Sequence, residues 1–146
     1  MTADQITKEV TATQAQIKEY GEQIKSSADF AEKLQDIQGQ ETTETLTFIL
    51  LSGVVLDASD IHIEAEEQGA RVRIRVDGVL HEVTSIPDAL YKALLSRIKL
   101  VSELKLNIED RPQDGRFSLG DEQQQIEVRT SSLPSEHGES LVIRML

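Results

Sequence analysis

The stretch from Arg71 to Val79, RVRIRVDGV, decides the fold. Val72, Ile74 and Val76 alternate with Arg71, Arg73 and Arg75, and a period of two gives a strand one apolar and one charged face. Asp77-Gly78 follows, a pair that accepts positive φ at both central positions of a tight hairpin turn. A two-residue loop there predicts Val76 opposite Val79, Ile74 opposite His81 and Val72 opposite Val83 on the apolar face. It also sets Arg73 against Glu82 on the charged face.

Just upstream, Ile61 and Ile63 alternate with Asp60, His62 and Glu64, which predicts a second strand with one buried face, closed by a turn over Glu66 to Gly69. Asp60-x-His62-x-Glu64 places two carboxylates and an imidazole on one side of it, the residue types of a metal site or an acid–base pair. It lacks the cysteines and second histidine usual in structural zinc sites, so a hydrogen-bonded polar face is the better reading. His81 reads as a packing residue on the hairpin's apolar side, and His137, beside Gly138, as a loop residue.

Further upstream, Glu44 to Asp57 is apolar on most sides and predicts a largely buried helix, with Thr42 or Thr43 as its cap and Gly39 to Thr43 as a linker. From Thr2 to Gln38, steps of four and three pick out Ile6, Val10, Thr13, Ile17, Tyr20, Ile24, Ser27, Ala31, Leu34 and Gln38. That is a helical stripe of coiled-coil type, and Ser26 with Asp29 has the form of a capping box, predicting a break near Lys25. The stripe needs cover from its own domain, from a partner helix or from a neighbouring copy. The chain thus divides into a helical segment over 1–40 and a domain over 41–146.

Downstream of the hairpin, Leu90, Ala93, Leu94, Ile98 and Val101 recur at helical spacing behind Pro87, predicting a helix over Asp88 to Ser102. After a loop through Asn107 to Gly115, strands are expected over Arg116 to Leu119, Gln124 to Thr130 and Ser140 to Leu146, the first two joined at Gly120-Asp121. Hairpin-connected strands with helices to one side imply an α+β domain with a mainly antiparallel sheet.

The net charge of −11 is unevenly divided. Residues 1–70 hold 14 acidic residues against 4 lysines and no arginine, whereas residues 71–146 hold 12 acidic residues against 3 lysines and 8 arginines. An acidic chain is a poor nucleic-acid binder, because phosphate neutralisation supplies most of that affinity. Any anion site is therefore local and lies in the second half. There is no cysteine, which fits a reducing compartment. Met1 to Lys8 is polar, so no signal peptide is expected, and the eleven-residue apolar stretch Leu46 to Leu56 is too short to cross a bilayer. A soluble protein is expected.

None of the 8 glycines is followed by Lys and Ser or Thr, so the sequence holds no Walker-type phosphate loop, and it holds no dinucleotide fingerprint. No nucleophile constellation stands out, and autonomous catalysis is not expected. The arginines carry the remaining chemistry, since a guanidinium is a permanently charged planar fork suited to phosphate oxygens. Arg129 and Arg144 fall on the last two predicted strands. If those strands pair as a hairpin, both side chains could converge on one anion, and Arg116 could join them.

ASDIHIE at 58–64, RIRVDGVL at 73–80, SRIKL at 96–100, RPQDGR at 111–116, VRTSSLP at 128–134, HGE at 137–139 and VIRML at 142–146 stand in a specific order. That order resembles the second N-terminal domain of the ATPases of type II secretion and type IV pilus assembly, over roughly residues 42 to 146. The segment Leu104 to Asp110 and the pair Thr130-Ser131 vary from the commonest forms.

The resemblance implies a PAS-like domain ahead of a RecA-like core that holds the Walker motifs, binds ATP with Mg and works as a ring-shaped homohexamer. It implies partners in that core, in neighbouring subunits and in an inner-membrane platform or docking protein, with no nucleic acid, and a cytoplasmic location peripheral to the inner membrane. By motif position Arg129 and Arg144 correspond to two arginines that reach the nucleotide phosphates, and Arg116, at the start of the preceding strand, is expected to join them. The chain itself is then a regulatory, phosphate-sensing part rather than an enzyme, and its last strand, stopping two residues past Arg144, reads as a fragment boundary. The alternative function is a helical interaction module, with residues 1–40 binding a partner or assembling a ring.

Overall fold

The structure, a computed structural model, describes residues 9–37 and 39–146. The stripe positions Ile6 and Gln38 lie outside the described residues. The central hairpin joins β3 (Gly69–Val76) to β4 (Val79–Ile86), with φ of 51° at Asp77 and 78° at Gly78. Val76 faces Val79, Ile74 faces His81 and Arg73 faces Glu82, as the turn chemistry requires.

Beyond Arg73 the expected register fails. Val72 pairs with Thr84 rather than Val83, because a bulge inserts one residue into β4. An unbroken alternation would turn Ile86 away from the core. The bulge brings it inward, opposite Ala70, where it is 2% exposed. The Ala70–Ile86 pair is tight at its end: Gly69 has φ +98°, and a Cβ there would meet the Ile86 carbonyl oxygen at 2.1 Å.

The other strands are β1 (Glu9–Thr11), β2 (Asp60–Glu66), β5 (Gln113–Gly120), β6 (Gln125–Ser135) and β7 (Gly138–Met145). The sheet order is β1-β5-β6-β7-β2-β3-β4, antiparallel throughout except for β1 against β5. β6 and β7 are longer than their sequence pattern suggests and form one continuous hairpin. Pro134 lies within β6, and only Glu136 and His137 form the turn.

Four helices are described: α1 (Gln14–Gln23), α2 (Ser27–Asp36), α3 (Thr42–Val55) and α4 (Asp88–Val101). Every residue of α3 from Thr45 to Gly53 is buried. Its start differs from expectation: Thr42 and Thr43 lie inside the first turn, and the flanking Glu41 makes no side-chain cap. Tertiary burial along the helix substitutes for the missing cap. Leu46, Ile49 and Leu50 of α3 and Leu94 and Ile98 of α4 share one core with Ile61, Ile63, Val72, Ile74, Val128, Leu141 and Ile143 of the sheet. The arginines that alternate with Val72 and Ile74 remain on the opposite, partly exposed face.

The N-terminal stripe is not one helix. Val10 lies in β1 beside Leu119, and Thr13 is the N-cap of α1. The Thr13 hydroxyl accepts from the Gln16 backbone N–H at 3.1 Å while Gln16 Oε1 accepts from the Thr13 N–H at 2.8 Å, a reciprocal cap that halts helix growth towards Val10. The second break falls at Lys25, where the Asp29 N–H donates to Ser26 Oγ at 3.1 Å and the Lys25 N–H to Asp29 Oδ2 at 2.8 Å. Val10, Ile24 and Leu34 are buried in the same core as the sheet, with Ile17 and Tyr20 packed against it.

Candidate functional site

The register of five strands lays one row of side chains across the helix-free sheet face. Arg116 on β5 faces Arg129 on β6, which faces Arg144 on β7, which faces Asp60 on β2, which faces Arg75 on β3. The three arginines singled out in the sequence are therefore consecutive cross-strand neighbours. Their side chains are 74%, 61% and 62% exposed, in that order.

Two carboxylates hold the row. Asp60 Oδ1 accepts from Arg144 Nε at 2.8 Å, and its Oδ2 lies 3.7 Å from Arg75 Nε and accepts from the Ser59 hydroxyl at 3.1 Å. Glu127, two positions before Arg129 on the same face, sits between the other two guanidiniums: 3.5 Å from Arg116 Nη1 and 3.6 Å from Arg129 Nη2. Burial alone would raise the pKa of the Asp60 carboxyl. The Arg144 and Ser59 hydrogen bonds and the Arg144 charge outweigh it, so the group lies below its ordinary value. Asp60 in turn raises the pKa of the Arg144 guanidinium.

Arg129 and Arg144 line an open cavity of about 270 Å³ with Asp114, Ser131, Thr130 and Val142. Like charges directly opposite on neighbouring strands repel, and here each guanidinium is flanked by a carboxylate on its outer side of the row, Glu127 beside Arg129 and Asp60 beside Arg144. An anion in the cavity would lie against both guanidiniums. The Asp114 carboxylate, which accepts from Ser131 Oγ at 2.6 Å, bounds the cavity on its other side.

The Asp60, His62, Glu64 face is used differently from a metal site. Asp60 is held by Arg144, and Glu64 lies 3.5 Å from Arg73 Nη1, so both carboxylates answer guanidiniums. His81 is opposite Ile74 as expected but is exposed, because β4 is the outermost strand and leaves that end of the face uncovered. His137 occupies the β6–β7 turn.

A second charged group escaped the sequence reading. Lys99 of α4 and Glu139 of β7, 2% and 5% exposed, form a buried ion pair at 2.5 Å, and the Tyr91 hydroxyl donates to the Glu139 carbonyl. The available signal was positional: Tyr91, Leu95 and Lys99 follow at steps of four, which puts the lysine on the buried stripe.

Known proteins bear on this arrangement. The family described as Type II/IV secretion system protein matches residues 35–146. The chain belongs to that family. It is 44% identical over 124 residues to the type II secretion system protein E of Xanthomonas campestris, covering 83% of this chain and 22% of that protein. It is 36% identical over 111 residues to the type IV pilus assembly ATPase TfpB of Acinetobacter baylyi, covering 75% of this chain and 19% of that protein. A solved structure of the pilus retraction motor PilT with bound ADP shares 23% identity at a TM-score of 0.45, over 68% of this chain and 28% of that one. The chain thus spans about a fifth of the length of these curated relatives. The four helices and seven-stranded, mostly antiparallel sheet are the α+β class read from the sequence.

Proposed function

We propose that this chain is the regulatory, phosphate-sensing part of a hexameric ATPase that powers type II secretion or type IV pilus assembly. In this reading Arg129 and Arg144, with Arg116 beside them, reach the phosphates of ATP and Mg held by an adjacent RecA-like core, in the same subunit or a neighbouring one. The inner-membrane platform of the machine is the larger partner.

One observation carries the reading: Arg129 and Arg144 are directly opposed and exposed on a helix-free face, where one anion can meet both guanidiniums. Planar guanidiniums two strands wide match phosphate oxygens, and preorganised positive charge at a transferring phosphoryl group lowers its barrier. Family membership supports the ATPase context. The helical pair α1–α2 is not put forward as a partner-binding module, because Ile24, Phe30 and Leu34 already pack into this chain's own core.

The test compares ATP binding and hydrolysis by the 146-residue chain with those of a protein in which the same chain is followed by a family catalytic core. Turnover and tight binding are expected only in the longer protein. Hydrolysis by the short chain alone would contradict the reading.

A further inference from the structure

Arg144 meets Asp60 through a single bond. Its Nε donates to Asp60 Oδ1 at 2.8 Å, and neither of its Nη groups hydrogen-bonds a described residue. A guanidinium and a carboxylate frequently pair through two parallel hydrogen bonds. Here the second is missing, although Asp60 has another oxygen and Arg144 has two more nitrogens.

Two neighbours take that second oxygen. The Ser59 hydroxyl donates to Asp60 Oδ2 at 3.1 Å, and Arg75 Nε faces the same atom at 3.7 Å. The Arg75 carbonyl lies 3.4 Å from the same hydroxyl, but a hydroxyl has one proton and the nearer, charged acceptor holds it. Both neighbours are fixed in place. The Ser59 N–H donates to the Arg75 carbonyl at 2.9 Å, and its carbonyl accepts from the Met145 N–H at 3.2 Å. The far end of Arg75 donates through Nη1 to the Gly78 carbonyl at 2.9 Å, in the β3–β4 turn. The Asp60 side chain is only 7% exposed, so protein groups rather than solvent decide what each oxygen accepts.

We infer that Ser59 and Arg75 are positioning residues for Arg144: by holding Asp60 Oδ2 they keep the Asp60–Arg144 pair to one hydrogen bond and leave both Nη groups of Arg144 for an anion. A two-bond pair would consume Nε and one Nη, and the remaining nitrogen could no longer form a fork on phosphate oxygens. This role rests on the reading of Arg144 as a phosphate contact. Asp60 anchors the side chain, and Ser59 with Arg75 stops the anchor from consuming it.

The first arm of the test is spectroscopic and uses the nitrogen-15-labelled 146-residue chain at low temperature, with the Arg144 side chain assigned through Arg144→Lys. In wild type the Arg144 Nη groups are expected to average into one signal, because rotation about Nε–Cζ is unhindered. Ser59→Ala combined with Arg75→Gln releases Oδ2, the second bond forms, and separate Nη signals are expected. Separate signals already in wild type, or one averaged signal in both proteins, would overturn the inference. The second arm is ATP turnover by a protein in which this chain is followed by a family catalytic core. The double variant is expected to lower kcat at least about threefold, towards the level of Arg144→Ala. Ser59→Thr combined with Arg75→Gln restores the hydroxyl and is expected to regain most of that loss. Slow turnover in Arg144→Ala beside wild-type turnover in the double variant would overturn the positioning role alone. Wild-type turnover in Arg144→Ala would instead overturn the phosphate reading on which that role rests.

Discussion

Asp60 and Arg144, 84 residues apart in sequence, are directly paired across β2 and β7, with Arg144 Nε 2.8 Å from a carboxylate oxygen that is almost inaccessible to water. The acid comes from β2, the strand next to β7 in the row, and the arginine is one of the two proposed to reach phosphate. Asp60 therefore sets where Arg144 points.

Because Asp60 has a lowered pKa in the folded state, it holds fewer protons there than in the unfolded chain. Its stabilising contribution is present above the ordinary aspartate value, about 3.9, and disappears as pH falls through the folded value. Asp60→Ala is expected to destabilise the chain by about 1–3 kcal/mol at pH 7. The difference from wild type should be smaller under acid than at neutral pH, and urea unfolding at pH 7 and pH 3 checks this direction.

The Lys99–Glu139 pair should respond in the opposite way to single and double replacement. Glu139→Leu alone leaves a buried ammonium unpaired and is expected to cost about 3–5 kcal/mol. Lys99→Met combined with Glu139→Leu removes both charges and should recover most of that loss. A double-mutant cycle measured by chemical denaturation gives the coupling.

Two glycines with left-handed φ should differ in their tolerance of a side chain. Gly78→Ala, at φ +78° with nothing within 4 Å of the new Cβ, is expected to cost about 1 kcal/mol. Gly69→Ala drives its Cβ into the Ile86 carbonyl oxygen and should lose clearly more than 2 kcal/mol, or fail to fold. Thermal melts of the two variants side by side distinguish these outcomes.

Glu127 lies against both Arg116 and Arg129 and would compete with a phosphate at the proposed site. Exposed pairs of this kind are worth up to about 1 kcal/mol. In a protein that includes a catalytic core, Glu127→Gln is expected to lower the KM for ATP by up to ~5-fold with little change in stability. A KM equal to or above wild type would count against this competition.

Much of the fold was legible because local chemistry and global packing agree. Asp77-Gly78 specified the central hairpin, and alternation named the buried faces of β2 and β3. What escaped depended on distant contacts. The bulge at Val83 follows from the need to bury Ile86, which no local period reveals. Val10 satisfied a helical stripe by coincidence of spacing, while its partner Leu119 lies more than a hundred residues away. Thr13 and Gln16 carried a cap signal that the longer stripe obscured.

At the candidate site, the arginines were legible by type and by strand. Their alignment was not, because register between β5, β6 and β7 is fixed by pairing rather than by spacing. The roles of Asp60 and Glu127 needed that register too. Lys99 and Glu139 were missed because charged residues are ordinarily assigned to the surface, and only the fold shows them meeting inside it.

The most direct test of the account is steady-state ATP turnover by a protein that joins this chain to a family catalytic core, measured for wild type, Arg129→Ala and Arg144→Ala. Each substitution is expected to lower kcat by at least about tenfold, as removal of a charge-stabilising group does, while circular dichroism and oligomer mass stay unchanged. Wild-type turnover in both variants would contradict the assignment of these arginines to the phosphates.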